Sequence, residues 1–136
     1  MKQFRFAKLK RIRELEEKLA EEAFAEAMAT VDKLAERSRE LTEKYKIYKQ
    51  DFIEGKVSWL EIANIIKLMT NLKNEIIEAY NDLQKKRREL IDANMRLKMM
   101  ERLEDIWKEE MFKEELQNLQ EVLDDFASYK DFVKKS

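Results

Sequence analysis

The sequence predicts an all-α fold, a long antiparallel two-helix coiled-coil hairpin. The 136 residues include one Gly and no Pro, so the chain has few places at which it can reverse sharply. Charged residues make up 42% and hydrophobic residues 44%, and strong helix formers dominate. Apolar residues recur at spacings of three and four over long stretches. We expect one domain, 1–136, with a helix over about 3–54, a turn over about 55–57 and a helical stretch over about 58–132.

The first predicted helix carries a single apolar stripe along its length. From Val31 to Phe52 the steps alternate between three and four residues, which is the heptad pattern of a coiled-coil seam. From Leu15 to Val31 every step is four residues, so we expect the supercoil to unwind locally there, as it does at a stutter. The stripe consists of Leu9, Ile12, Leu15, Leu19, Ala23, Ala27, Val31, Leu34, Ser38, Leu41, Tyr45, Tyr48 and Phe52.

Three signals that agree predict the reversal between the helices. Gly55, the single glycine, follows the last apolar position, where a left-handed C-terminal cap belongs. Ser58 and Glu61 have the spacing of a capping box, in which each side chain accepts a hydrogen bond from a free backbone N–H. Val57 and Ile62 occupy the positions of a hydrophobic staple. We therefore expect one sharp turn at the glycine and a second helix that begins at the serine.

The second helical stretch carries a longer stripe, which Arg87 interrupts. Asn71 and Asn74 predict a soft bend near 71–74. The stripe consists of Ile62, Ile66, Met69, Leu72, Ile76, Ala79, Leu83, Leu90, Ala93, Leu97, Met100, Leu103, Trp107 and Met111.

The two predicted helices differ in length, which leaves part of the second without a partner. Folding the chain about residue 56 pairs residues whose numbers sum to about 112. The pairs include Leu41 with the region of Asn71, Leu15 with Leu97, Ile12 with Met100, and Phe6 with Ile106. Roughly the last 25 residues would then overhang. Because an apolar stripe continues along this overhang, through Phe112, Leu116, Leu119, Leu123 and Phe126, we expect an interaction surface there.

The composition argues against a catalytic site. With no His and no Cys, the chain lacks the usual ligands of zinc sites and the base of catalytic triads. A single glycine cannot build a phosphate-cradling loop. The many carboxylates fit the solvated faces of helices. We therefore expect a protein that is not an enzyme, that holds no cofactor and no metal, and that acts by binding other proteins.

Charge and hydropathy restrict the classes of partner. The net charge of −1 argues against nucleic acid as a partner. No apolar run approaches the roughly 20 residues that span a bilayer. The basic N-terminal stretch supports at most a weak peripheral membrane contact, since few apolar residues accompany it. We expect a monomer in isolation, because the hairpin buries its own seam.

Three clusters leave alternatives open. The basic run Lys85, Lys86, Arg87 and Arg88 is either a solvated face or a contact for an acidic partner. The methionines Met95, Met99, Met100 and Met111 either fill the core or form an adaptable binding face. The aromatic residues Tyr45, Tyr48 and Phe52 are bulky for a two-helix seam, so part of their surface could face outward and bind.

Three segments of the sequence have features of a known family. The first is the opening MKQFRFAKLKRIRELEEKLAEEA, with Phe4-Arg5-Phe6 and Leu15. The second is GKVSWLEIANIIKLMTNLKNEI, where a glycine precedes a capped helix, and the third is residues 79–127, with the basic run, Leu103-Glu104 and the ending LDDFA. These segments resemble the start, the midpoint and the C-terminal helix of the FliJ family, coiled-coil proteins of the bacterial flagellar export apparatus. The resemblance covers nearly the whole chain.

The resemblance implies a fold similar to the stalk subunit of rotary ATPases and a role as an adaptor. FliJ-type proteins insert into the hexameric ring of the export ATPase, FliI, contact the export gate protein FlhA, and recycle export chaperones. The protein would then be cytoplasmic and peripherally associated with the inner membrane at the flagellar base. The implied ATPase-binding residues are Phe4, Phe6, Phe112, Leu116, Leu119, Leu123 and Phe126. The implied gate-binding residues are Leu41, Tyr45, Tyr48, Phe52, Leu72, Ile76, Ala79 and Leu83, and the second of these stripes departs from the family in being wholly aliphatic.

Two other functions remain open at the level of sequence. One is a stalk or scaffold protein of a virulence-type secretion system or of a rotary ATPase. The other is a structural dimer in which the C-terminal overhangs of two copies pair with each other.

Overall fold

The described residues form two long helices and no strand. The computed structural model describes the backbone of residues 3–135 and the side chains of residues 3–134. Helix α1 spans Ala7–Ile53 and helix α2 spans Trp59–Lys135. The predicted all-α fold, with two long helices that pack against each other, is thereby confirmed. The packing divides into two compact units, a turn unit (Leu15–Asn94) and a terminal unit (the described parts of 1–14 and 95–136).

The turn lies where the sequence predicted it. Gly55 has a φ of 75°, a left-handed conformation that residues with a Cβ rarely adopt. Its N–H donates to the Phe52 carbonyl oxygen at 3.0 Å, and the Lys56 N–H donates to that of Asp51 at 2.8 Å. These bonds satisfy carbonyl groups that the end of α1 would otherwise leave free. The Phe52 and Trp59 rings then meet across the turn, with centroids 6.0 Å apart.

The staple residues of the turn also lie where they were predicted. Val57 is half-buried and Ile62 is buried. The Glu61 N–H donates to the Ser58 carbonyl oxygen at 3.2 Å, and α2 begins at the next residue after the serine. The apolar contacts and the first backbone bond of α2 therefore fix the direction in which the chain leaves the turn.

In the turn unit, α1 and α2 pack along one seam, to which each helix contributes a row of residues with unbroken heptad spacing. Every seam residue is buried or half-buried, at alternating steps of three and four. The α1 seam consists of Glu17, Ala20, Phe24, Ala27, Val31, Leu34, Ser38, Leu41, Tyr45 and Tyr48. The α2 seam consists of Ile62, Ile65, Met69, Leu72, Ile76, Ala79, Leu83, Lys86, Leu90 and Ala93. Helix α2 runs through 71–74 without a break, and Leu41 lines the same groove as Asn71 and Leu72, as the predicted pairing required.

The first part of the predicted α1 stripe is wrong. Leu15 and Leu19 are 56% and 55% exposed, whereas Ala20 and Phe24 lie in the seam. A row of four-residue steps drifts around a helix by about 40° per step, so it leaves the packed face within two or three steps. The observed seam keeps the heptad spacing instead, and the predicted stutter is absent from the turn unit.

Two predicted positions on α2 are off by one residue. Ile65 is buried and Ile66 is 41% exposed, while further along Glu104 is half-buried and Leu103 is 40% exposed. Each shift restores the alternation of three and four. Lys86, beside the interruption predicted at Arg87, supplies the missing seam position with its aliphatic stem.

The terminal unit packs the start of the chain against α2. Its seam residues are Lys10 and Arg13 on α1, and Leu97, Met100, Glu104, Trp107 and Met111 on α2. Helix α1 begins at Ala7, later than predicted, and it follows a turn in which the Ala7 N–H donates to the Phe4 carbonyl oxygen at 3.1 Å. The predicted facing pairs Ile12 with Met100 and Phe6 with Ile106 are not the packed ones, since Phe6, Ile12 and Ile106 are exposed.

Beyond Met111, helix α2 continues with no buried residue. Every described side chain from Phe112 to Lys134 is exposed. We call residues 112–134 the exposed segment. The predicted overhang is thus present as an intact helix. Neither described helix contains a stretch long and apolar enough to cross a membrane.

Candidate partner-binding surfaces

The exposed segment carries the clearest apolar surface of the terminal unit. Five side chains at steps of four, three, four and three are between 50% and 62% exposed. They are Phe112, Leu116, Leu119, Leu123 and Phe126. We call them the tail stripe. The Lys130 ammonium lies over the Phe126 ring, with Nζ 5.3 Å from the centroid, so a cation closes one end of the stripe.

The tail stripe is not a continuation of the seam. Phe112 follows the last seam residue, Met111, by one position, which places it about 100° further around the helix. The heptad positions that would extend the seam hold Glu114, Asn118 and Glu121 instead. A partner that binds the tail stripe therefore approaches a different face of α2 from the one that α1 covers in this unit.

The two N-terminal aromatic residues assigned to ATPase binding pack differently from each other. Phe4 is half-buried and meets Trp107 at a centroid distance of 5.7 Å. Phe6 stands edge-on to Phe4 at 5.9 Å, is 39% exposed, and has the Arg5 guanidinium 5.6 Å from its centroid. Phe4 thus stabilises the terminal unit, and Phe6 is the more accessible of the two.

These aromatic residues lie near the start of the tail stripe. Trp107 precedes Phe112 by five residues, which is about 7.5 Å along the helix axis. Phe112 also lies about 140° around the helix from Trp107, so the N-terminal aromatic cluster and the tail stripe are close along the axis but on different sides of α2.

An ion-pair cluster occupies the terminal seam. Lys10 Nζ is 3.1 Å from Glu104 Oε2, and Lys108 Nζ is 3.1 Å from Glu104 Oε1. The hydrogen bond from Lys10, and then that from Lys108, lowers the pKa of Glu104 below its ordinary value of 4.5. The same bond to Glu104 raises the pKa of Lys10 above 10.5. Both groups therefore stay charged over the whole neutral range.

The residues assigned to gate binding lie mostly in the seam of the turn unit. Leu72 is buried, at 5% exposure, and Phe52, at 41%, is the exposed member. The remaining residues are half-buried: Leu41, Tyr45, Tyr48, Ile76, Ala79 and Leu83. The Lys44 ammonium lies 5.7 Å from the centroid of the Tyr48 ring, so that ring is partly covered from outside as well. A partner could reach these side chains only at their edges.

Four of these seam residues form the floor of one groove on the turn unit. Leu41, Tyr45, Leu72 and Ile76 line a depression of about 380 Å³ between the two helices. Its remaining lining residues are Ser38, Ile66, Met69, Thr70 and Lys73. We call it the apolar groove. Four residues of the predicted gate-binding set thus line one groove, whereas that set does not include its exposed wall residue, Ile66.

The wall of the apolar groove extends into an exposed stripe on α2. Ile66, Ile77 and Tyr80 are 41%, 49% and 53% exposed, and they share one helix face with Thr70 and Lys73 at steps of three and four. Sequence reasoning missed this stripe because it assigned Ile66 to the seam. The sequence does contain the signal: a second row of residues with heptad spacing follows the seam row on α2 by one position and includes these three apolar side chains.

The other sequence clusters divide between packing and exposure. Lys86 lies in the seam and its Nζ is 3.8 Å from Glu89 Oε2, so the basic run is partly structural. Met95 and Met99 are exposed, whereas Met100 and Met111 are half-buried. A second groove on the turn unit, lined by Arg37, Glu40, Lys44 and Glu75 around Leu41, Leu68, Asn71 and Leu72, is charged at its rim.

The described part of the chain holds no group of three or more acidic side chains placed to bind a metal ion. Comparisons with protein-family models, with curated proteins and with solved structures found no match to this chain.

Proposed function

We propose that this chain is a non-enzymatic coiled-coil component of the bacterial flagellar type III export apparatus. In this proposal it binds the ring of the export ATPase, FliI, as a central stalk, links the ring to the export gate protein FlhA, and exchanges export chaperones. It would act in the cytoplasm at the inner face of the membrane. The observation that carries the proposal is the tail stripe, an apolar face on a helix that extends past the last seam residue.

The tail stripe is apolar, as expected of a surface that binds an apolar inner surface of a ring. Burying five large side chains that are about half exposed contributes on the order of 5 kcal/mol, before the cost of association is subtracted. The stripe occupies one face of one helix, so it can contact a few subunits of a ring at a time. In the proposed arrangement a single chain in the centre of the ring serves all of its subunits.

The proposal is tested by the ATP hydrolysis rate of the flagellar export ATPase from the same organism, with this protein titrated in. We expect the rate to rise and to saturate well below one chain per ATPase subunit. A chain truncated after Met111 should not stimulate, and it should keep its fold because every described residue removed is exposed. No change in rate at any ratio, with no complex on a sizing column, would exclude the ATPase role.

A matched pair of substitutions separates the stripe from the charge of the segment. Leu119→Asp places a charge in the stripe, whereas Asn118→Asp places the same charge on another face of the same turn. We expect the first variant to lose most of the stimulation and the second to retain it. Equal effects would assign the stimulation to the segment's charge and not to its apolar face.

For the export gate, the apolar groove is a better candidate than the seam residues themselves. Its floor contains Leu41, Tyr45, Leu72 and Ile76, and its accessible wall continues through Ile77 and Tyr80. An amphipathic helix or an extended segment of the gate protein could cover that wall without opening the hairpin.

The gate assignment is tested by pull-down of the cytoplasmic part of the gate protein. Ile77→Asp should weaken capture at least tenfold, because it places a charge on the exposed stripe that continues the groove wall. Asn64→Asp, which is exposed and lies about 140° around the helix from Ile77, is the matched control and should bind as the unmodified chain does. Unchanged capture by Ile77→Asp would remove the groove from the proposal and leave the ATPase role untouched.

A further inference from the structure

We infer that the exposed segment is also a self-association surface, through which two copies of this chain pair antiparallel along their tail stripes. The inference needs only the stripe and its charges, and it does not rest on the export role. The occupant of the stripe is thus a second copy of the same segment.

The spacing of the tail stripe is self-complementary in one antiparallel register. In an antiparallel pair of helices, residues at steps of four and three meet residues at steps of three and four on the partner. In this register Leu119 of each copy meets Leu123 of the other, and Leu116 meets Phe126. Phe112 then meets Lys130, whose ammonium already lies over an aromatic ring within its own chain. Every residue of the tail stripe therefore has a facing residue on the second copy.

Charge along the segment favours the antiparallel direction. Residues 109–115 contain four glutamates and one lysine, whereas residues 130–134 contain two lysines and one aspartate. Antiparallel pairing brings the acidic start of one segment beside the basic end of the other. Parallel pairing would place the four glutamates beside their own copies, which is unfavourable.

The residues that flank the stripe do not oppose this register. Val122 meets Val122 across the two-fold axis on one side, and Gln120 meets Gln120 on the other. Glu115 meets Tyr129, whose hydroxyl can donate to the carboxylate. The carboxylates of Glu121, Asp124 and Asp125 lie on the outer faces and stay in water. No pair of like charges is forced together at the flanks.

The pairing requires no rearrangement of the described fold. The stripe residues are 50–62% exposed in the single chain, and α2 is already helical over their whole length. The paired stretch is short, about 27 Å of helix from Phe112 to Lys130. We therefore expect a weak dimer that forms at micromolar concentrations and dissociates on dilution. The expected monomer, inferred from burial of the seam alone, would be the dilute form.

Pairing covers the same stripe that the proposed function assigns to the ATPase. The two associations are then mutually exclusive. The dimer must dissociate into single chains before the stripe can bind the ring. Stimulation of an ATPase should then follow the concentration of the single chain and not the total concentration of the protein.

The first test is the mass of the full chain by sedimentation equilibrium over a wide concentration range. We expect the average mass to rise from the 16.5 kDa of one chain toward twice that value. Leu119→Asp should shift the midpoint of this rise at least tenfold to higher concentration, while Asn118→Asp should not move it. A single-chain mass at every concentration would overturn the inference.

The second test fixes the direction and register by engineered cysteines, since the chain has no cysteine of its own. In the proposed register Leu119→Cys and Leu123→Cys face each other between chains, but each is offset from its own copy by about 6 Å along the axis. Mild oxidation of an equal mixture should therefore give a disulfide dimer that contains one chain of each variant. Each variant alone should give little.

The outcomes of the cysteine test are distinct. Rapid dimers from each variant alone, with none favoured in the mixture, would show a parallel pair and overturn the register. No dimer in any sample, with a single-chain mass, would overturn self-association altogether. Neither result bears on the export role, which is measured by ATP hydrolysis.

Discussion

Lys10 of α1 and Glu104 of α2 form an ion pair in the seam of the terminal unit, with Nζ and Oε2 3.1 Å apart. Their side chains are 25% and 19% exposed, so the pair is partly buried and still reaches water. Both positions have the heptad spacing that apolar residues hold elsewhere along the helices. Together with the contact between Phe4 and Trp107, the pair therefore favours the observed face of α1 toward α2 at this end.

Exchanging the two charges should restore part of what a single reversal removes. Lys10→Glu places two carboxylates at contact distance and should lower the melting temperature, and Glu104→Lys should do the same with two ammonium groups beside Lys108. The double variant re-forms the pair in the opposite sense and should recover only part of the loss, because the exchanged charges then lie beside Glu14 and Lys108. Thermal unfolding of all four proteins by circular dichroism provides the measurement, and additive losses in the double variant would argue against a direct pair.

The same pair predicts a defined dependence of stability on pH. The pKa of Glu104 is lowered in the folded chain, so its contribution is present above the ordinary value of 4.5 and is lost as pH falls through the lowered pKa. The pKa of Lys10 is raised, so its contribution is present below 10.5 and is lost as pH rises through the raised pKa. Carboxyl chemical shifts of Glu104 in a pH titration should report the low midpoint, and Lys10→Met should move it back toward 4.5.

The sequence predicted the helices and the turn because both depend on local chemistry. The single glycine, the serine that precedes α2 and the long apolar periodicity each act within a few residues. The phase of the seam was predicted correctly from Ala27 to Tyr48, where apolar residues occupy every heptad position except Ser38.

Apart from the shift at Ile65, the phase was missed next to seam positions that charged residues hold. Lys10, Glu17, Lys86 and Glu104 are seam residues, and a search for apolar side chains passes them over. A two-helix seam is open on both sides, so a long side chain can bury its stem there and keep its charge in water. Only the position of the partner helix decides between such a residue and an apolar neighbour one step away.

Of the two candidate surfaces, the sequence predicted the tail stripe but not the wall of the apolar groove. The tail stripe follows from a difference in helix length, which the position of Gly55 determines. The apolar groove depends on the side of the seam to which Ile66, Ile77 and Tyr80 turn, and that side depends on the phase of the helix. An error of one residue in the phase therefore concealed the groove wall.

Truncating the floor of the apolar groove should destabilise the fold. Leu72→Ala removes a side chain that is 5% exposed, and we expect it to cost about 2–5 kcal/mol of unfolding free energy. Leu68→Ala, one turn earlier and 53% exposed, is the matched control and should change stability by less than about 0.5 kcal/mol. Urea unfolding monitored by circular dichroism measures both, and similar losses would contradict the assigned seam.

Replacing the glycine of the turn should cost backbone strain alone. Gly55 has a φ of 75°, and a Cβ built there would meet no atom within 4 Å. Gly55→Ala should therefore destabilise by about 1–2 kcal/mol through the left-handed conformation and not through a clash. Gly55→Asn should lose less, because asparagine tolerates this conformation better than alanine does. The order Gly, Asn, Ala in urea midpoints is the expected result, and an alanine variant as stable as the glycine would contradict it.

The aromatic contact between Phe4 and Trp107 gives a spectroscopic prediction. In a chain that carries Trp59→Phe, the fluorescence reports Trp107 alone. Phe4→Ala should shift that emission to longer wavelength, because it exposes the indole, and should remove about 0.5–1.5 kcal/mol of aromatic pairing. Phe6→Ala is the control, since the Phe6 ring packs edge-on against Phe4, and Phe4 is the ring that meets the indole. An equal shift from both variants would mean that the whole N-terminal turn detaches.

The phase of α1 can be tested at two adjacent residues with opposite expectations. Leu19 is 55% exposed although it is apolar, and Ala20 is a half-buried seam residue although it is small. Leu19→Gln should therefore change the free energy of unfolding by less than about 0.5 kcal/mol. Ala20→Gln puts a larger polar side chain into the seam and should cost about 1–3 kcal/mol. Glutamine has nearly the same helix propensity as leucine, so propensity does not explain a difference of that size. If Leu19→Gln were the more costly change, the four-residue steps expected from the sequence would describe this part of α1 better than the heptad does.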